Sequence, residues 1–178
     1  MRSDDRALPP SPIHHRHSSG APVTAGDIAG IASVLFAGLL AGEEFVIRYG
    51  VRGPLAKLQD QPHILLRQAL IRPLRVIVPS IYLATLISAA ATTALDGIGS
   101  GLALRCIGLG ALLVWIAVTL GGTVPINAAV LDWNANAPPA NWRAQIDRWE
   151  HLNTMRTWAA VLALASLLTG LTVTAAGN

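Results

Sequence analysis

Glu43 and Glu44 stand side by side at the end of an uncharged run, and Arg48 follows Glu44 by four residues. That spacing favours a Glu44–Arg48 pair on one helical face and leaves Glu43 turned away from it. A carboxylate held out of water and away from a cation can act as a general base. His63 and Arg67 repeat the four-residue interval, and a histidine at a membrane interface can move protons or ligate a metal. Asn127 lies in another uncharged run just after Pro125, which loosens the backbone there, and Asp132 and Trp133 close that run. An amide in apolar surroundings needs a partner, whether a neighbouring helix or a ligand. Trp142, Ile146, Trp149, Asn153 and Arg156 recur every three or four residues, which is one helical face. A solvated face has no need of tryptophan, and an apolar core has none of arginine. Such a stripe can stack on a flat aromatic ligand and hydrogen-bond it. Each set also has a plain structural reading: an interfacial charge cluster, a solvated histidine, an interhelical amide, or anchors at headgroup depth. The anchor reading fits Trp115 and Trp158 best.

The elements that must position these residues are membrane helices. Of the 178 residues, 52% are hydrophobic and only 13% are charged, against about 25% charged in soluble domains. Mean hydropathy is +0.49. The runs Val76–Leu95, Cys106–Leu131 and Thr157–Asn178 carry no charge. Each is about as long as a helix must be to cross a bilayer, where lipid offers the backbone no hydrogen-bond partner. The first span is shorter, with no charge only from Ile28 to Gly42. Either it tilts in a thinned bilayer, or Glu43 and Glu44 are drawn inside the boundary, facing the bundle interior. The second reading is preferred. The expected fold is all-α, an integral membrane four-helix bundle with interfacial helical extensions. Residues 1–24 form a disordered tail, and 25–178 the four-helix domain, with spans near 26–48, 74–95, 104–131 and 156–177. Small residues at Gly38 and Gly42, and at Ala159, Ala163, Ser166 and Gly170, suit close helix packing. Asp60 can cap an interfacial helix with Pro62 in its first turn, running on into the second span through Pro73 and Pro79.

Nine of the 13 basic residues fall in the 1–2 and 3–4 connections and the start of the fourth span. The positive-inside rule then puts both large connections in the cytoplasm and both termini outside, as for a bacterial inner-membrane protein. Fifteen apolar residues also suit a signal peptide, but the 27 residues before them are too many for its charged region, so a retained span is expected. The net charge of +3 is modest and clustered beside apolar runs, so the expected partner is the lipid bilayer and not nucleic acid. The lone Cys106 excludes an intrachain disulfide, a CxxC redox pair and a thiolate zinc site. His14, His15 and His17 sit in the tail, where a specific metal site is not expected. No HExxH, Walker loop or serine elbow is present. Every polar set above falls at one end of the bundle, because the first and third spans end there and the second and fourth begin there. A pocket for a flat, partly apolar aromatic molecule at that end is the expectation.

Four segments carry a family resemblance: GEEFVIRYGVRGPL (Gly42–Leu55), LRQALIRPLRVIVP (Leu66–Pro79), PINAAVLDW (Pro125–Trp133) and NWRAQIDRWEHLNTMR (Asn141–Arg156). Through them the chain resembles the anthrone-oxygenase-like family of small four-helix membrane proteins. The most specific element is Arg148-Trp149 with Asn153 and Arg156. The resemblance implies the four-helix fold and the oxidation of an anthrone to an anthraquinone with molecular oxygen, a polyketide-tailoring step by a monooxygenase. Abstraction at the activated methylene needs a base, with a cation for the enolate. On that chemistry the catalytic set is Glu43, Glu44, Arg48, His63, Arg67 and Arg156, with Glu43 or His63 as base and Arg48, Arg67 or Arg156 as the cation. Asn127, Trp133, Trp142, Trp149 and Asn153 form the substrate-binding set. No cofactor is expected. The alternative is a metal ion bound by His63 and His151 with Glu43 or Glu44. Rival functions are a non-enzymatic binding or transport protein and a structural membrane subunit.

Overall fold

The computed structural model describes residues 23–177, so the tail with its three histidines lies outside the described residues. Among the described residues there are four long helices: α1 (Ala25–Ala56), α2 (Asp60–Asp96), α3 (Leu102–Asp132) and α4 (Trp142–Gly177). All four are long and apolar enough to cross a membrane. The protein is an all-α bundle with no strand among the described residues.

Local chemistry sets the ends of these helices. Thr24 and Asp27 form a reciprocal cap on α1: the Asp27 N–H donates to Thr24 Oγ1 at 3.1 Å, and the Thr24 N–H donates to the Asp27 carboxylate at 2.8 Å. Asp60 does not cap α2. It is the first helical residue behind an extended Gln59, and its carboxylate pairs with Arg143. Gly97, with φ of +59°, ends α2 in a backbone conformation that side chains disfavour. The irregular stretch after Asp132 includes Pro138 and Pro139, and α4 follows it without a break to Gly177.

Two helices contain a widened turn. In α1 it covers Val46–Val51, and in α3 Thr119–Thr123. Each lies one turn ahead of a proline, Pro54 and Pro125. A proline has no N–H to offer the carbonyl four residues back, and its ring crowds that carbonyl. The helix opens there, and such turns recur at functional sites.

The helices form a ring in the order α2, α1, α4, α3. The packed seams are α1 against α2, α1 against α4 and α3 against α4, while α2 and α3 meet over a shorter length. The main core draws on every helix, with Leu40, Val78, Leu112 and Ala160 at its centre. A second cluster, including Ile64, Ile126, Val130 and Trp142, closes the end where α1 and α3 terminate. Ala159, Ala163, Ser166 and Gly170 are buried. A Cβ on Gly108 would stand 2.9 Å from Leu167, so the α3–α4 seam uses small residues as expected. Gly42 does not: it is exposed, with nothing within 4 Å of an added Cβ. Ile28, Leu35, Leu83, Ile87, Leu113, Leu120, Trp158 and Leu162 point outward. An apolar exterior around a bundle of long helices suits lipid, not water. At the end remote from the charged connections, buried Arg105 donates to Asp96 at 2.5 Å and to Thr174 at 3.2 Å, tying the α2–α3 turn to the end of α4.

Candidate functional site

All four helices line a partly open cavity of about 310 Å³. Small-molecule pockets begin near this size, roughly 300 Å³. Its walls are mostly aliphatic, from Ile47, Leu70, Leu74, Val78 and Leu131. Into this lining project Glu43, Arg48, Arg67, Asn127, Asn153 and Arg156, with Trp115 and Trp149 beside them. Glu43, Arg67, Asn127 and Arg156 come from four different helices, so only the folded bundle brings them together. Both widened turns contribute wall: Ile47, Arg48 and Val51 from the first, Thr119 and Thr123 from the second.

Behind the wall lies a fixed ion pair. Glu44 is 1% exposed, and its Oε1 accepts from Arg156 Nη2 and, at 3.0 Å, from Trp115 Nε1. Arg156 Nη1 also donates to Thr123 Oγ1 at 3.2 Å, and the guanidinium lies 4.4 Å above the Trp115 ring. Trp115 in turn stacks on Tyr82, centroids 4.8 Å apart and planes 14° from parallel. The Tyr82 hydroxyl donates to the Leu112 carbonyl at 3.3 Å. Three contacts of different kinds therefore hold Arg156 at the cavity edge. The local expectation for Glu44 is overturned. Its partner is Arg156, 112 positions away, and not Arg48. A carboxylate on the packed α1–α4 face gains most from a cation on that face, and the widened turn from Val46 breaks the ordinary four-residue register toward Arg48.

A second charged group sits across from it. The Arg67 guanidinium lies 4.6 Å over the Trp149 ring, and its Nη2 is 3.9 Å from Glu150, which also pairs with Arg52. Several polar atoms in the wall are buried without a hydrogen-bond partner in the protein. Four are donors: Arg48 Nε, Arg67 Nε, Trp149 Nε1 and Arg156 Nε. Two are acceptors: Glu43 Oε2 and Asn127 Oδ1. Buried polar groups are ordinarily paired, so six such atoms around one apolar space make it the candidate site.

A family model described as anthrone oxygenase matches residues 68–166. The chain belongs to the anthrone oxygenase family. No curated protein and no solved structure matches it. The family stretch contains Trp115, Asn127, Trp149, Asn153 and Arg156, while Glu43, Arg48 and Arg67 precede it.

Against this family frame, several sequence expectations find a different place. His63 is buried outside the cavity wall, its ring edge-on to Trp142 at 5.2 Å. Trp142 packs in the end cluster and likewise does not reach the cavity. Trp133 packs against that cluster, and its carbonyl accepts from Gln68 Nε2 at 3.0 Å. These three therefore support the site from below, because the cavity stops at the level of Trp149. Glu44 stands behind the wall as the counter-ion of Arg156. His151 is exposed, so the metal set of His63, His151 and a glutamate does not assemble. Among the described residues no group of three His, Cys, Asp or Glu side chains could hold a metal ion.

The cavity also uses residues that sequence reasoning passed over: Trp115, Thr119, Thr123, Arg52 and Glu150. Trp115 was expected as a headgroup anchor, yet it is 1% exposed at the heart of the bundle. Its signal was available: Trp115, Thr119, Thr123 and Asn127 repeat at intervals of four, a polar stripe through an uncharged run. Trp158, by contrast, is 60% exposed on the outer surface.

Proposed function

We propose that the protein is a membrane-embedded oxygenase that converts an anthrone-like tricyclic substrate to the corresponding quinone with molecular oxygen. The observation that carries this reading is Glu43. It faces an apolar cavity with no ion-pair partner among the described residues, in a wall that also presents the fixed cation Arg156. A base and a separate cation in an apolar space are what abstraction of an acidic methylene proton requires. The donor-rich wall suits a ligand with carbonyl and phenol oxygens, and Trp115 and Trp149 supply flat surfaces.

The chemistry balances with oxygen as the sole co-reactant. Glu43 removes a proton from the methylene carbon, and the electron pair moves onto the carbonyl oxygen as an enolate. Arg156 holds that oxygen by its remaining N–H. The enolate carbon passes electrons to dioxygen, a carbon–oxygen bond forms, and the proton held by Glu43 passes to the peroxide oxygen to give a hydroperoxide. Loss of the second methylene proton breaks the oxygen–oxygen bond, leaving a ketone and one water. The substrate is oxidised by four electrons and one dioxygen is fully reduced, one atom to the ketone and one to water. His63 has no role in these steps. Asn127 and Asn153 orient the ring substituents.

The test is oxygen uptake by purified protein in lipid nanodiscs with anthrone, measured above the rate of anthrone alone. One dioxygen consumed per quinone formed is expected, with one labelled oxygen atom incorporated from ¹⁸O₂. Glu43→Gln is expected to lower turnover by about 10²–10⁴-fold, the contribution of a positioned general base. Full turnover in folded Glu43→Gln protein overturns the assignment. Tight anthrone binding with no uptake in the wild type favours a carrier instead.

A further inference from the structure

We infer that the substrate carries an acidic substituent, a carboxylate or an ionised phenol, which binds at Arg67. This deepens the oxygenase reading by naming a substrate class for the same cavity. It starts from the charges of the wall. Five arginines line the cavity, Arg48, Arg52, Arg67, Arg75 and Arg156, against two glutamates, Glu43 and Glu150. Glu44, from behind the wall, neutralises Arg156. Glu150 pairs closely with Arg52 and reaches Arg67 only at 3.9 Å. Arg48 has no ion pair among the described residues, and Arg67 has only a distant share in one.

Orientation alone would not bury these groups. Arg72 and Arg75, on the same helix as Arg67, are exposed, as arginines at a membrane boundary ordinarily are. Arg67 is 6% exposed. Its Nε and that of Arg48 are buried without a hydrogen-bond partner in the protein. A buried guanidinium is costly unless it is paired, and it cannot shed its proton. The Arg67 guanidinium carbon lies 4.6 Å over the Trp149 ring, and the indole Nε1 is a further unused donor. The planar guanidinium fork presents parallel donors, the arrangement that accepts a carboxylate. A neutral tricycle fills the aliphatic part of the cavity and leaves Arg67 and Arg48 under-compensated. An aromatic acid completes both.

The probes are anthraquinone-2-carboxylate and anthraquinone-2-carboxamide, two quinones of nearly the same shape that the enzyme does not consume. Equilibrium dialysis against the protein in phosphatidylcholine nanodiscs gives their affinities. The carboxylate is expected to bind roughly tenfold to a hundredfold more tightly, the range of a charge-assisted hydrogen bond. Arg67→Gln is expected to bring the two ligands within about threefold, chiefly by weakening the carboxylate. Arg48→Gln is the second variant if Arg67→Gln does not fold, and it is expected to narrow the preference in the same direction. Equal affinities in the wild type, with anthrone oxidation intact, overturn the acid subsite and leave the oxygenase. Selective carboxylate binding without any oxygen uptake supports the subsite and overturns the oxygenase. Loss of the preference in phosphatidylglycerol nanodiscs gives Arg67 to a lipid headgroup and overturns the aromatic assignment.

Discussion

Glu44→Gln isolates the charge of Glu44 from its shape. The substituted amide keeps an oxygen where Glu44 Oε1 accepts from Trp115 and Arg156, so the hydrogen-bond geometry survives. The negative charge does not. Arg156 is then a cation with 7% exposure, held over the Trp115 ring and bonded to a hydroxyl, with no counter-ion. Removing one partner of a buried pair costs about 3–5 kcal/mol. The retained hydrogen bond puts Glu44→Gln at the lower end, about 3 kcal/mol, which lowers Tm by roughly 6–12 °C in a chain of this size. The reverse change, Arg156→Met, is milder, because a stranded carboxylate can be neutralised by a proton and a stranded guanidinium cannot. In Glu44→Gln/Arg156→Met both charges are gone and the volume is nearly kept, so the double variant is expected to be more stable than Glu44→Gln alone. The coupling in the double-mutant cycle should be about 2 kcal/mol or more. Unfolding followed by circular dichroism in detergent gives all four values. A double variant no more stable than Glu44→Gln, with losses that simply add, would show that the two groups do not act as a pair.

Two further outcomes separate supporting residues from reacting ones. Trp115→Phe keeps the stack on Tyr82 but removes the donor to Glu44, and is expected to cost about 1–3 kcal/mol in the same unfolding assay; an unchanged midpoint counts against the Glu44–Trp115 contact. His63→Ala removes the edge contact with Trp142, worth about 0.5–1.5 kcal/mol, and is expected to leave anthrone oxidation within about threefold of wild type, since a positioned acid–base group contributes far more than that; loss of turnover in folded protein would move the base from Glu43 to His63.

Much of the architecture was legible because lipid narrows the choices. An uncharged run near 20 residues must be a helix, and the uncharged runs and their proline and glutamate borders located the four helices. The convergence of Glu43, Arg67, Asn127 and Arg156 followed from which helix ends share a side. Local rules failed where tertiary partners competed with them. The four-residue spacing of Glu44 and Arg48 describes an isolated regular helix, whereas Glu44 meets α4 and the helix widens at Val46. Trp115 fits an anchor by type, but its place midway along a span, in line with Thr119, Thr123 and Asn127, marks an inward face. Trp142 and Trp149 lie on one stripe, yet the stripe outruns the cavity, and no sequence pattern tells where a cavity stops. His63 offers chemistry by residue type, but it lies outside the cavity wall with its ring edge-on to Trp142.

Adjacent residues on a helix point about 100° apart, so no helix can offer Glu43 and Glu44 to the same surroundings. One must face the packed seam if the other faces the cavity. The division has a physical consequence. Arg156 can stand at the edge of an apolar cavity only if something inside the bundle balances it, and Glu44 does so from behind without occupying the substrate side. Glu43 is left with no ion-pair partner among the described residues. Substitution of the two neighbours should therefore fail in opposite ways. Glu44→Gln loses stability first, whereas Glu43→Gln, which relieves an unpaired charge, should fold at least as well as the wild type and lose turnover. If both variants lose stability alike and neither changes turnover in the folded fraction, the two carboxylates share one structural task, and the cavity has no base.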